Sequence, residues 1–166
     1  MRPNKAHKVE IGDTTSNGGR VYAGISPDTR REMFALSADA FLRIPFMRQG
    51  TETSHNPGQL FKGTLAAAKR HAAVASLLRS GGEASWRIPT KNELNILCRN
   101  KDKRGLKDIF ALVSNHDRFV WSSTLQTDPR APHLSFAWAQ RLSDGKQEYD
   151  GTGSHALVVL VTSKGI

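Results

Sequence analysis

Apolar residues recur at one-turn spacing in the middle of the chain and at two-residue spacing beyond residue 118, so helices are expected before strands. A hairpin precedes both. Residues 21–25 and 32–36 flank Ser26-Pro27-Asp28-Thr29-Arg30-Arg31, whose proline and aspartate suit a turn. Thr64 is placed to cap a first helix, with Ala67, Val74, Leu77 and Leu78 as its apolar contacts and Gly81-Gly82 to end it. Thr90 and Glu93 stand at capping-box spacing, in which each side chain takes a backbone N–H of the other residue. Leu94, Leu97 and Cys98 give the helix that follows one apolar face. Both helices are expected to pack on one side of a sheet.

Phe119-Val120-Trp121-Ser122-Ser123 opens the strand region. Leu134, Phe136, Trp138, Gln140 and Leu142 then alternate onto one face, which predicts burial of Trp138. Asp144-Gly145 signals a two-residue hairpin, because a type I′ turn needs positive φ at both central positions, and residues 146–149 form its return. After a loop over residues 150–154, residues 156–162 are apolar on both faces, as in a central strand covered on both sides. Residues 1–18 read as loosely ordered and residues 49–58, rich in turn formers, as a long surface loop. Residues 19–166 are expected to form one domain, since a chain of 166 residues, 38% hydrophobic, suffices for a single core. The chain ends are expected to lie close together.

Two motifs carry a family resemblance: Trp86-Arg87-Ile88-Pro89-Thr90-Lys91-Asn92-Glu93-Leu94, and Val120-Trp121-Ser122-Ser123-Thr124 followed by residues 136–145. In order and spacing they resemble the Lcl C-terminal domain-like family, named after the end domain of a collagen-like adhesin. Residues 22–29 look like that family's opening strand and turn, whereas residues 41–62 are poorly similar. The resemblance implies an α+β chain with a C-type-lectin-like fold, two helices packed on a mostly antiparallel sheet, and a binding scaffold without catalysis. Where the family often ends in a strand carrying Arg-Cys-Val-Arg, this chain has residues 155–162 with no cysteine, so neither a disulfide nor a charged contact carries over there.

Charge changes the picture, because 24 Lys and Arg against 15 Asp and Glu give a net +9 that is unevenly spread. Residues 62–107 hold eleven bases and three acids. Residues 99–105 are the densest part, expected as an exposed loop after the second helix, and Arg99, Lys101, Lys103, Arg104 and Lys107 are the candidate polyanion-binding residues. Such a field draws a polyanion, or is simply a solvated helical face.

Candidate chemistry is sparse. The six histidines do not pair with one another or with Cys98 at metal-ligand spacing, so no metal or cofactor is expected. Ser122 and Ser123 lack the glycine setting of a nucleophile elbow. Asp144, Glu148 and Asp150 could offer oxygens to calcium, but a polar hairpin and its loop explain them better, because the sugar-coordinating signature of calcium-dependent lectins is absent. Trp86 and Trp121 read as core residues. The single cysteine forms no intramolecular disulfide, and its place on an apolar helix face reads as a core thiol. The amino-terminal residues lack the apolar segment of a secretory signal and no run is long enough to cross a bilayer, which points to the cytosol or to assembly into a particle.

The reading that follows is a recognition protein that holds a protein or glycan partner through loops 124–133 and 150–155. Gln126, Arg130, His133, Trp138, Gln140, Thr152 and Ser154 are its candidate ligand-binding residues. The alternative is a binder of nucleic acid or nucleoprotein, or an inhibitor of such a contact, working through the basic region. Enzymes related to formylglycine-generating proteins rely on a cysteine pair for copper-dependent oxidation, which one cysteine does not supply.

Overall fold

A computed structural model describes residues 9–15, 19–42, 62–79, 85–113 and 118–163. In chain order the elements are β1 (Arg20–Ile25), β2 (Glu32–Leu36), α1 (Ala38–Leu42), β3 (Lys62–Gly63), α2 (Leu65–Arg79) and α3 (Lys91–Arg99). They continue with α4 (Arg104–Ala111), β4 (Phe119–Gln126), β5 (Phe136–Arg141), β6 (Gln147–Gly151), β7 (Ala156–Leu157) and β8 (Val161–Ser163). The architecture is α+β. Among the described residues four helices accompany a three-stranded sheet, β1-β2-β8, and a five-stranded sheet, β3-β7-β4-β5-β6. There every pairing is antiparallel except β4 with β7.

The 26–31 turn joins β1 to β2 as its composition predicts, with Arg30 at φ 61°. The apolar run 156–162 departs from expectation. It is buried throughout, but it is not one strand: β7 ends at Leu157 in one sheet and β8 starts at Val161 in the other. Between them Leu160 accepts a hydrogen bond from Leu36 N, and Arg87 and Val161 exchange two, of 2.8 and 2.9 Å. The run therefore crosses the core and stitches the two sheets together. It also sets β1 and β8 on either side of β2, while residues 1–8 and 164–166, the chain ends proper, lie outside the described residues.

Thr64 Oγ1 accepts from Ala67 N at 3.2 Å and caps α2. The buried face of α2 is made of Leu65 at its start and then Ala67, Ala68, Ala72 and Ala75, whereas Leu77 and Leu78 point to solvent. Small side chains let the helix approach the core closely, and the leucines expected to supply contacts fall off that face. Gly81-Gly82 and the 49–58 loop lie outside the described residues.

The segment expected to be loose is held over residues 9–15. Thr14 bridges to Val21, Gly12 N donates to Tyr22 O, and Gly105 N donates to Gly12 O at 3.0 Å. Residues 99–105, expected as one exposed loop, are only partly loop: Arg99 closes α3, and Arg104 and Gly105 open α4, whose Leu106, Ile109 and Phe110 are buried. The β5–β6 hairpin exists, but only Gly145 has positive φ, at 75°, so the turn is not type I′. Its loop is longer, closed by Gly145 N to Arg141 O at 3.0 Å and Arg141 N to Lys146 O at 2.8 Å.

Candidate functional site

Strand register decides which side chains meet on the five-stranded sheet. Trp138 stands opposite Tyr149, and Phe136 is diagonal to it, so three aromatic rings share one face. Tyr149 meets Trp138 edge-on at 5.5 Å and Phe136 at 5.8 Å between ring centroids. Trp138 is half-buried rather than in the core. The face expected to be inward is buried only at its far end, at Gln140 and Leu142, while Ala137 and Ala139 are buried on the other face.

This ledge is fixed from two sides. Trp138 Nε1 donates to Gln126 Oε1 at 3.1 Å, while Gln126 Nε2 donates to Thr127 O at 3.0 Å, so Gln126 orients the indole. Lys91, the first residue of α3, sets Nζ 3.2 Å from the Trp138 ring centroid, a cation–π contact. The start of α3 is anchored there by Lys91 N to Thr124 Oγ1 at 2.9 Å and Gln147 Nε2 to Lys91 O at 3.2 Å. The sequence places Phe136 on the Trp138 face, but Lys91 and Tyr149 are not among its ligand candidates. Pairing register brings Tyr149 to the ledge.

The other expected ligand residues divide. Arg130 and His133 are exposed on the loop beside the ledge, where Asp128 Oδ1 accepts from Arg130 N at 2.9 Å and closes an Asx-type turn. Thr152 N donates to Ser135 O at 2.9 Å, and Thr152 O accepts from Leu65 N, so its backbone joins the two loops to α2. Gln140 is buried, and its amide nitrogen donates to Asn95 Oδ1 at 3.1 Å and Gly145 O at 3.0 Å. It ties α3 to the hairpin. Ser154 lies in a cleft of about 450 Å³ on the opposite face of the sheet, floored by Phe119, Trp121 and Ala139.

The basic set also divides. Arg104 ion-pairs with Asp13 and with Glu10, the latter at 3.0 Å, and Lys101 Nζ donates to Leu142 O. Both hold the fold. Arg99, Lys103 and Lys107 are exposed and form no ion pair with another described residue.

Centred on the Trp86–Glu93 motif is a buried polar cluster. Glu93 accepts from Ser26 Oγ at 2.6 Å, from Arg87 at 2.6 and 2.7 Å and from Thr90 N at 2.9 Å. Thr90 Oγ1 accepts from Glu93 N at 3.2 Å, completing the capping box. This cluster positions α3, and through Lys91 it positions the ledge. Trp86 and Trp121 are both in the core, Trp121 donating to Gly63 O at 2.8 Å.

Reactive groups are occupied. Ser122 is buried and accepts from Thr124 N, and Ser123 Oγ donates to Pro89 O. Burial pushes the Cys98 thiol up to about 12, with Lys101 offsetting only part of the rise. Among the described residues no group of three His, Cys, Asp or Glu side chains is gathered to hold a metal, and no helix is long and apolar enough to cross a membrane. Arg141 holds the Asp144 carboxyl well below the usual range.

The Lcl C-terminal domain family model matches residues 44–162, well over half of the chain. The chain belongs to the Lcl C-terminal domain family. The match takes in both tryptophan motifs, the ledge and the cleft, but begins after the β1–β2 hairpin, which had seemed the family's opening strand and turn. This Lcl C-terminal domain has no match among the curated proteins compared.

Proposed function

We propose that this protein is a non-enzymatic recognition protein, built on a C-type-lectin-like scaffold, that holds a protein or glycan partner against the Trp138 ledge and its neighbouring loop. The supporting observation is the ledge itself: aromatic side chains left part-exposed yet held in place by Gln126 and Lys91. Rigid amphipathic rings offer contact area at small entropic cost, and Leu134 and Tyr149, both exposed, extend the apolar surface beside Arg130 and His133.

A second reading, polyanion binding, is favoured by the exposed Arg99, Lys103 and Lys107. The experiment compares Trp138→Ala and Arg130→Ala/His133→Ala with Arg99→Gln/Lys103→Gln/Lys107→Gln on a glycan array, on captured protein partners and on heparin and DNA. Lys101 and Arg104 are spared because both hold the fold. Under the leading reading the ledge and loop variants lose the partner and salt has little effect. If instead the charge variant alone loses binding, with a salt slope falling by about one unit per lost phosphate contact, the polyanion reading replaces it.

A further inference from the structure

We infer that the cleft on the face opposite the ledge binds a short zwitterionic peptide, its carboxylate toward Arg118 and Lys62 and its ammonium toward Asp150 and Glu148. Trp121, Ala139 and Glu148 are direct cross-strand neighbours on β4, β5 and β6, and Ala137 faces Asp150, so all of them share the cleft side of the sheet. Ala139 is the small member between Trp121 and Glu148, and its missing bulk makes the recess. A volume of about 450 Å³ lies within the range of small-ligand pockets.

The rim is charge-polarised by strand order. Lys62 on β3 and Arg118 at the head of β4 line one side, and Glu148 and Asp150 on β6 line the other. A simple anion meets repulsion from β6, and a simple cation meets it from Arg118 and Lys62. A neutral sugar leaves four charges to be partly desolvated without compensation. A ligand with both charges satisfies both sides. From β4 to β6 is two strand spacings, about 10 Å, and the register offsets Arg118 from Asp150 by about five residues along the strands. The two anchors therefore stand roughly 19 Å apart, about the reach of five extended residues. The middle residue then lies over Phe119 and Ala139. Lys146 already pairs with Glu148, so Asp150 is the principal anchor for the ammonium.

The test is an NMR titration of the ¹⁵N-labelled full chain with Ala-Leu-Ala-Leu-Ala, its N-acetylated form and its C-terminal amide. The free peptide is expected to give saturable shifts at the Trp121 indole N–H and the Ala139 amide, and blocking either end to weaken binding about tenfold. Arg118→Gln should weaken the free peptide about tenfold without further weakening the amide, and Asp150→Asn should do the same for the acetylated form. Both side chains are exposed, so thermal melts should match the wild type. Equal binding of blocked and free peptides, or no saturable shift at Trp121 and Ala139, overturns the inference. If blocked peptides carrying an internal Lys and Asp bind as well as the free peptide, the charges come from side chains of a protein segment, and the free-terminus assignment falls. Tyr149 lines the cleft as well as the ledge. The control is therefore Arg130→Ala/His133→Ala, at two residues that line no part of the cleft, and it must leave the titration unchanged, so that the two sites fail independently.

Discussion

Glu93 and Arg87 face each other through two hydrogen bonds although the Glu93 side chain is fully buried and the Arg87 side chain is 35% exposed. Burial alone pushes the carboxyl up, but hydrogen bonds from Arg87, Ser26 and the Thr90 backbone outweigh it and hold the group below its ordinary 4.5. The folded state therefore favours the ionised form. Its contribution to stability is fully present above the ordinary value and is lost as pH falls through the lowered one. Unfolding free energy should decline in urea titrations as pH falls below about 5 and through the lowered value, and Glu93→Gln should flatten that decline. At neutral pH the same substitution should cost about 3 kcal/mol, since it strips Arg87 of its partner.

Thr90→Ala should cost about 1 kcal/mol in urea midpoint measurements, because the hydroxyl caps α3 and also donates to Asp28. Asp28→Ala, which removes an exposed acceptor for Thr90 and Asn92, should cost less. Equal losses for the two variants would place the stabilisation in the turn rather than in the cap.

Gly12→Ala should destabilise by about 2 kcal/mol. Gly12 has φ 98°, and an added Cβ would stand 2.8 Å from the carbonyl oxygen of Lys103. The strain should appear locally, as faster amide exchange at Gly105, whose N–H is bonded to Gly12 O. Unchanged exchange at Gly105 would mean that the amino-terminal segment does not hold the basic loop.

Cys98 should resist alkylation in the folded protein at about pH 8 and react fully once unfolded, since burial disfavours its thiolate. Labelling followed by mass spectrometry reads this directly. Rapid native labelling would show that the α3 face opens.

Local signals with a stereochemical cause were legible in the sequence. The Thr90–Glu93 spacing gave the cap, the 26–31 turn gave the β1–β2 hairpin, and Asp144-Gly145 marked a reversal whose turn type only the surrounding backbone decides. Facing was less legible. Period-two alternation in β5 does not say which positions are covered: Ala137 and Ala139 are buried on one face and Gln140 on the other, while Trp138 stays half-buried. The ledge needs the Trp138–Tyr149 register, a relation between residues on two strands that no single window of sequence contains. The split of the last apolar run was equally hidden, since burial on both sides looks the same whether one sheet or two accept it.

The passage of the last run from one sheet to the other has a consequence for the order of assembly. Met33, Phe34 and Ala35 are made early but bond to Ser163, Thr162 and Val161, and Arg87 waits for the same strand. During synthesis the first hairpin must stay unclosed along one edge until nearly all the described chain has emerged. That arrangement lengthens the search for the native pairing and leaves an edge open to foreign strands meanwhile.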